Sequence, residues 1–167
     1  RTVRIQEMVG ASTNHFAGII PGRFLHLRVK RDKNELMATA TNVVKAILAL
    51  RREERHAKRN AVVILGARGY VGREVVKNLE GEKIPVVAVD IGDVYTKPID
   101  RHIIVNITRP EGINEYISEN YLDKSAIILN EVYPAPHPSI VSDIKALGAK
   151  VFHIAGVEAI CIPKFPS

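Results

Sequence analysis

Tryptophan is absent from this chain of 167 residues, aromatic residues make up 5% of it, and there is a single cysteine, Cys161. One cysteine excludes an internal disulfide and any metal site built from several thiolates. The six histidines lie in different segments with no HxxxH or HxH spacing, so the pattern indicates no metal. Long hydrophobic runs are missing too. No apolar stretch approaches the roughly eighteen residues of a membrane span, and no signal peptide is visible. These absences make a soluble, cytoplasmic protein the expectation. The chain opens on Arg1 instead of methionine, which suggests a processed or excised fragment.

At 46% hydrophobic, the chain has enough apolar residues to bury one substantial core with an appendage. Its formal charge of +6 raises the question of nucleic acid, and the distribution of the charge answers it. Basic residues gather at Arg23, Arg28, Lys30, Arg31 and Lys33, and again in RREERHAKR at 51–59. Glu53 and Glu54 interrupt the second group, which reads as the solvated end of a helix where cations suit the macrodipole. Neither group has interleaved aromatics, zinc spacing or an RNA-binding signature, so nucleic acid is not an expected partner.

The stretch AVVILGARGYVG at 61–72 carries the most information. A short apolar run ends in Gly66, Gly69 and Gly72, and a helical pattern, REVVKNLEG, follows. This GxxGxxG spacing is a variant of the GxGxxG dinucleotide fingerprint and stands at a strand-to-helix turn, where the mechanism requires it. Gly66 would permit a sharp turn, Gly69 a close approach to pyrophosphate, and Gly72 tight packing of helix on strand. Arg68, Tyr70 and Val71 fill the same loop and are candidate cofactor contacts. Phosphate would sit on the first N–H groups of the helix, where the dipole favours an anion. Asp90 closes the next apolar run, IPVVAVD at 84–90. A carboxylate there accepts hydrogen bonds from the adenosine ribose and repels a 2′-phosphate, which places NAD ahead of NADP. Arg68 or Lys97 could nevertheless pair with a 2′-phosphate.

Downstream, apolar runs at 102–107, 125–129 and 150–154 alternate with helical patterns at 111–120 and 138–148. Pro110 and Pro138 stand at helix starts, and Gly148 stands at a helix end. With 61–65 and 84–90, the pattern predicts a doubly wound α/β fold, a mostly parallel five-stranded Rossmann-type sheet. The link at 91–101, with Gly92 and Pro98 and no apolar stripe, reads as a loop. Residues 1–58 form the expected N-terminal lobe and 59–167 the nucleotide domain. In the lobe, 2–9 and 23–31 alternate as a β-ribbon, and a long amphipathic helix runs from Asp32, which forms a capping box with Glu35. The helix stripe of Leu36, Met37, Ala40, Val43, Val44, Ile47, Leu48 and Leu50 suits core packing. It could also bury against a second copy, making a homodimer.

Ligands of open parallel sheets bind beyond the carboxyl ends of the strands. The polar residues expected there are Asn106, Thr108 and Arg109, then Asn130, Glu131, Tyr133 and His137. Asn106, Thr108 and Asn130 are candidate cofactor contacts, with capping of strand ends as the alternative for the asparagines. Arg109 could grip a substrate carboxylate, and Tyr133 or His137 could move a proton. His153 alternates with Val151 within a strand and reads as a hydrogen-bonded structural histidine. His15 and Asn14 occupy the loop of the β-ribbon and could face a cleft.

Residues 35–157 resemble NAD(P)-dependent dehydrogenases in which a substrate domain precedes a Rossmann domain, nearest to shikimate dehydrogenase-like and acyl-carrier-protein reductase-like proteins. TATNVVKAIL, VVILGARGYVG, IIVNITRPEG and IILNEVYPAP followed by GAKVFHIAGVEA carry the resemblance. It implies hydride transfer between a nicotinamide and a small carbonyl or hydroxyl substrate. It also implies that the loop after 102–107 passes near the nicotinamide and the loop after 125–130 lines the substrate cleft. The chain departs from that family in its short N-terminal lobe and in lacking the lysine and aspartate proton-transfer pair. It lacks the nucleophilic cysteine as well, because Cys161 lies in apolar AICIP, a core context. A Rossmann module that senses NAD(H), or holds a partner, without turnover is the alternative.

Overall fold

The computed structural model describes residues 33–53, 61–90, 92–93, 103–109, 111–119, 122 and 124–155. Its elements, in chain order, are α1 (Lys33–Glu53), β1 (Val62–Leu65), α2 (Tyr70–Gly81), β2 (Val86–Val89), β3 (Ile103–Asn106), α3 (Gly112–Glu119), β4 (Ile127–Asn130), α4 (Pro138–Ala146) and β5 (Lys150–His153). The chain divides into two compact units, Arg1–Ala38 and Thr39–Ser167. The second holds the whole sheet and most of α1. The expected β-ribbon with Asn14 and His15 lies outside the described residues, as do Lys97, Cys161, and the link at 91–101 apart from Gly92 and Asp93.

VVIL, IIVN and IILN are short β-branched runs buried along their whole length. Strands of this kind are stable only when both faces are covered, and they take the centre of a parallel sheet. The strand order is β2-β1-β3-β4-β5, and every pairing is parallel. At the edge, β5 alternates exposed Lys150 and Phe152 with half-buried Val151 and His153.

Alternation along the strands divides the core into two layers. On one face Val62, Ile64, Ile103, Val105, Ile127 and Leu129 pack with residues of α1 and α2. On the other, Val63, Leu65, Ile104 and Ile128 pack with Ile113 and Tyr116 of α3 and Ile144 of α4. The fold is therefore a doubly wound α/β sheet, as the alternating pattern predicts. Each fully buried isoleucine or leucine contributes roughly 1.5–3 kcal/mol. The helical stripe from Ala40 through Val43, Val44 and Ile47 to Leu50 is buried in the first layer. That stretch is therefore covered by the chain's own sheet, while Met37, nearer the start of α1, is 43% exposed.

Helix ends follow the chemistry of their residues. Arg51 and Arg52 occupy the last turn of α1, where cations face the negative end of the dipole. Pro138 opens α4 behind the His137 cap. Gly148, at φ +87, donates its N–H to the Lys145 carbonyl at 2.9 Å and stops the helix in the left-handed conformation glycine tolerates. The chain enters at β1, crosses to β2 on one side, and returns to β3 on the other. The reversal places the topological switch point at the carboxyl ends of β1 and β3, where such sheets hold ligands.

Candidate functional site

Three backbone contacts shape the turn after β1. Gly66, at φ +90, donates its N–H to the Val89 carbonyl at 2.8 Å, and Ala67 donates to the same oxygen at 3.1 Å. The turn is thus hung on the end of β2. Gly69 then donates to the Gly66 carbonyl at 3.0 Å. That carbonyl oxygen lies so close to α2 that a Cβ on Gly72 would come within 2.0 Å of it. Only glycine lets the helix sit this near the strand end, as the spacing predicts. Gly69 is the N-cap of α2 in an extended conformation, no side chain caps the helix, and its first turn has no acidic residue. The positive end of a twelve-residue helix therefore faces the switch point without a carboxylate of its own.

Asp90 and Arg68 meet at the same corner. The backbone N–H of Arg68 donates to Asp90 Oδ2 at 2.8 Å, tying the glycine loop to the tip of β2. The Arg68 Nε lies 3.8 Å from the same oxygen, while its terminal nitrogen is paired with Asp93 Oδ1. Asp93 Oδ2 in turn accepts the Asp90 backbone N–H at 2.8 Å. The hydrogen bond and the charge of Asp93 raise the Arg68 pKa further. Arg68, together with the Asp90 N–H, holds the Asp93 carboxyl below its ordinary range. Sequence reading missed Asp93. The signal available was the IGD turn after the strand, where Gly92 takes φ +87.

Asn106 and Asn130 are both completely buried, and they stand side by side in the register of β3 and β4, with His153 opposite Asn130 on β5. Asn106 Nδ2 donates to Asn130 Oδ1 at 2.9 Å and to the Arg109 carbonyl at 2.9 Å. Its Oδ1 accepts from the Thr108 N–H at 3.2 Å and the Thr108 hydroxyl at 2.7 Å. Asn130 Nδ2 donates to the Val132 carbonyl at 2.7 Å and lies 3.1 Å from His153 Nδ1. His153 is accordingly a hydrogen-bonded structural residue. Both amides are committed to protein partners. Their work is to hold the loops after β3 and β4 in place, the strand-end capping already open to them on sequence grounds.

Those loops converge on the glycine turn. A Cβ on Gly66 would meet the Thr108 methyl at 2.7 Å, and one on Gly112 would meet Thr108 Oγ1 at 2.2 Å and Asn106 Oδ1 at 3.0 Å. Thr108 is therefore wedged between the turn after β1 and the start of α3. Gly112, also missed on the sequence, is glycine because the Asn106–Thr108 turn comes against its Cα.

The catalytic candidates have different surroundings. Arg109 is exposed, and its carbonyl also accepts the Gly112 N–H at 3.0 Å. Tyr133 is 79% exposed. His137 caps α4: its Nδ1 accepts the Ser139 N–H at 3.3 Å and lies 2.8 Å from the Ser139 hydroxyl. Glu131 is half-buried beside the asparagine pair, its N–H donating to the Asn106 carbonyl at 3.1 Å, and burial raises its carboxyl pKa.

No protein-family model matches the chain, and no curated protein matches it. Among the described residues, no helix is long and apolar enough to cross a membrane.

Proposed function

We propose that this domain binds a nicotinamide dinucleotide, NAD in preference to NADP, as part of an oxidoreductase acting on a small carbonyl or hydroxyl substrate. The observation that carries this reading is the N-terminus of α2 at the switch point, which has no side-chain cap and no acidic residue in its first turn. An added Cβ at Gly66, Gly69 or Gly72 would meet Thr108 or the Gly66 carbonyl, so the three glycines let the turn fold tightly against the helix start. A pyrophosphate suits that position, with the backbone N–H groups of Val71 and Gly72 at the helix start as its donors, since those of Arg68 and Gly69 are taken by Asp90 Oδ2 and the Gly66 carbonyl. Asp90 would take the adenosine ribose, since accepting one loop N–H leaves a carboxylate with further acceptor capacity. Thr108 and the loops fixed by Asn106 and Asn130 would border the nicotinamide end.

A bound nicotinamide supplies hydride transfer at its C4. The chain's own groups would orient substrate and move a proton: Arg109 against a carboxylate, and Tyr133, His137 or Glu131 at the reacting oxygen. A second reading, a module that senses NAD(H) without turnover, draws support from the capping role of His137 and the exposure of Tyr133. A homodimer remains compatible with both.

Calorimetric titration with NADH and NADPH tests the shared claim. Saturable binding that favours NADH, weakened in Asp90→Ala, is the expected result. Absence of binding by either cofactor at millimolar concentration overturns it.

A further inference from the structure

The corner formed by Arg68, Asp90 and Asp93 contains an arginine inside a phosphate-facing loop, and that arginine is already occupied. Arginine recognises phosphate by directing its fork of N–H groups at the oxygens. In this chain the fork is turned to Asp93, and Asp93 is itself positioned by the Asp90 backbone N–H. The same Asp90 carboxylate receives the Arg68 N–H. Three residues from two loops thus form a closed ring of contacts at the tip of β2. One cation against two carboxylates leaves the corner net negative.

On the dinucleotide reading above, this corner is where an adenosine 2′-substituent would arrive. We propose that Asp93 is a specificity-determining residue: by holding the Arg68 guanidinium it withholds from a 2′-phosphate the one cation in the glycine loop, and so keeps the site selective for NAD. Asp90 repels the 2′-phosphate directly. Asp93 acts through Arg68, as a positioning residue. The guanidinium has the reach to serve either partner, because its side chain is 67% exposed and Asp93 is 39% exposed. A 2′-phosphate must therefore displace Asp93 while meeting its charge, which penalises NADP twice.

The test uses Asp93→Asn, which removes the charge and keeps an oxygen for the Asp90 N–H. Affinities for NADH and NADPH are measured by calorimetry on the wild type, on Asp93→Asn, and on Asp93→Asn combined with Arg68→Ala. Asp93→Ser is a second variant should Asp93→Asn fold poorly by circular dichroism. The expected result is NADPH affinity raised about tenfold or more, the scale of one charge-assisted hydrogen bond. NADH affinity should stay within about threefold, and Arg68→Ala should cancel the gain. An unchanged NADPH-to-NADH ratio, or a gain that survives loss of Arg68, overturns the inference while leaving the dinucleotide reading intact. If neither cofactor binds any of the proteins, both fall together.

Discussion

Replacing Gly72 by alanine is the sharpest perturbation this fold offers, because the added methyl meets backbone. A Cβ there would lie 2.0 Å from the Gly66 carbonyl oxygen, 2.9 Å from the Gly66 carbonyl carbon and 3.0 Å from Ala67 Cα. Carbon and carbonyl oxygen normally stay about 3.3 Å apart, so loop and helix must separate by about an ångström. The loop cannot retreat freely, since the Gly66 and Ala67 N–H groups are both bound to the Val89 carbonyl. Overpacking of this kind costs about 1–3 kcal/mol, and more where backbone must move; we expect about 3 kcal/mol for Gly72→Ala. Gly81, nine residues on in the same helix, is the control, because nothing lies within 4 Å of its Cβ position. Gly81→Ala should stabilise by roughly 0.4–1 kcal/mol through helix propensity and a less flexible unfolded chain. Urea unfolding followed by far-ultraviolet circular dichroism reads both. Equal midpoints for the two variants, or a loss below about 0.5 kcal/mol for Gly72→Ala, would refute the close-approach argument.

The remaining predictions concern the strand ends. Asn106→Leu leaves Asn130 Oδ1 and the Thr108 N–H without their Asn106 partner, at about 1–3 kcal/mol for each unsatisfied group; urea unfolding should show a loss of about 2–6 kcal/mol. Glu131→Gln should raise the melting temperature at neutral pH. Burial raises the folded carboxyl's pKa, so the native state holds its proton more tightly than the unfolded chain. The wild type therefore loses stability as pH rises from the ordinary carboxyl range through the raised value, and its difference from the glutamine variant should vanish at acid pH. A pH-independent difference between the two would contradict that account. His137→Ala should cost about 1 kcal/mol by uncapping α4, and His137→Asn should restore most of it; equal losses in both variants would rule out capping as the residue's structural role.

The layers of this fold were readable because each element's pattern is local. Buried parallel strands appear as VVIL, IIVN and IILN, and α1 and α2 show their apolar stripes at helical spacing. Structure and reading differ at strand ends by only a residue or two, with β2 running from Val86 to Val89 inside the expected 84–90. What was hidden depends on contacts across the sequence. Asp93 matters through Arg68, twenty-five residues away, and Gly112 matters because Thr108 packs against it. The asparagine pair left a signal that could have been used. Two strands both ending in asparagine, placed side by side in a parallel sheet, put their amides in register. The histidine cap of α4 is harder to foresee, since Ser, Thr, Asp and Asn usually hold that position.

The central claim is that the α2 N-terminus and its glycine turn receive the cofactor's pyrophosphate. The most direct measurement is the amide proton–nitrogen spectrum of the labelled protein during titration with NADH. The account predicts saturable shifts concentrated at Arg68, Gly69, Tyr70, Val71 and Gly72, with Asp90 moving in parallel. Shifts confined to other parts of the sheet, or no shift at millimolar NADH, would contradict it.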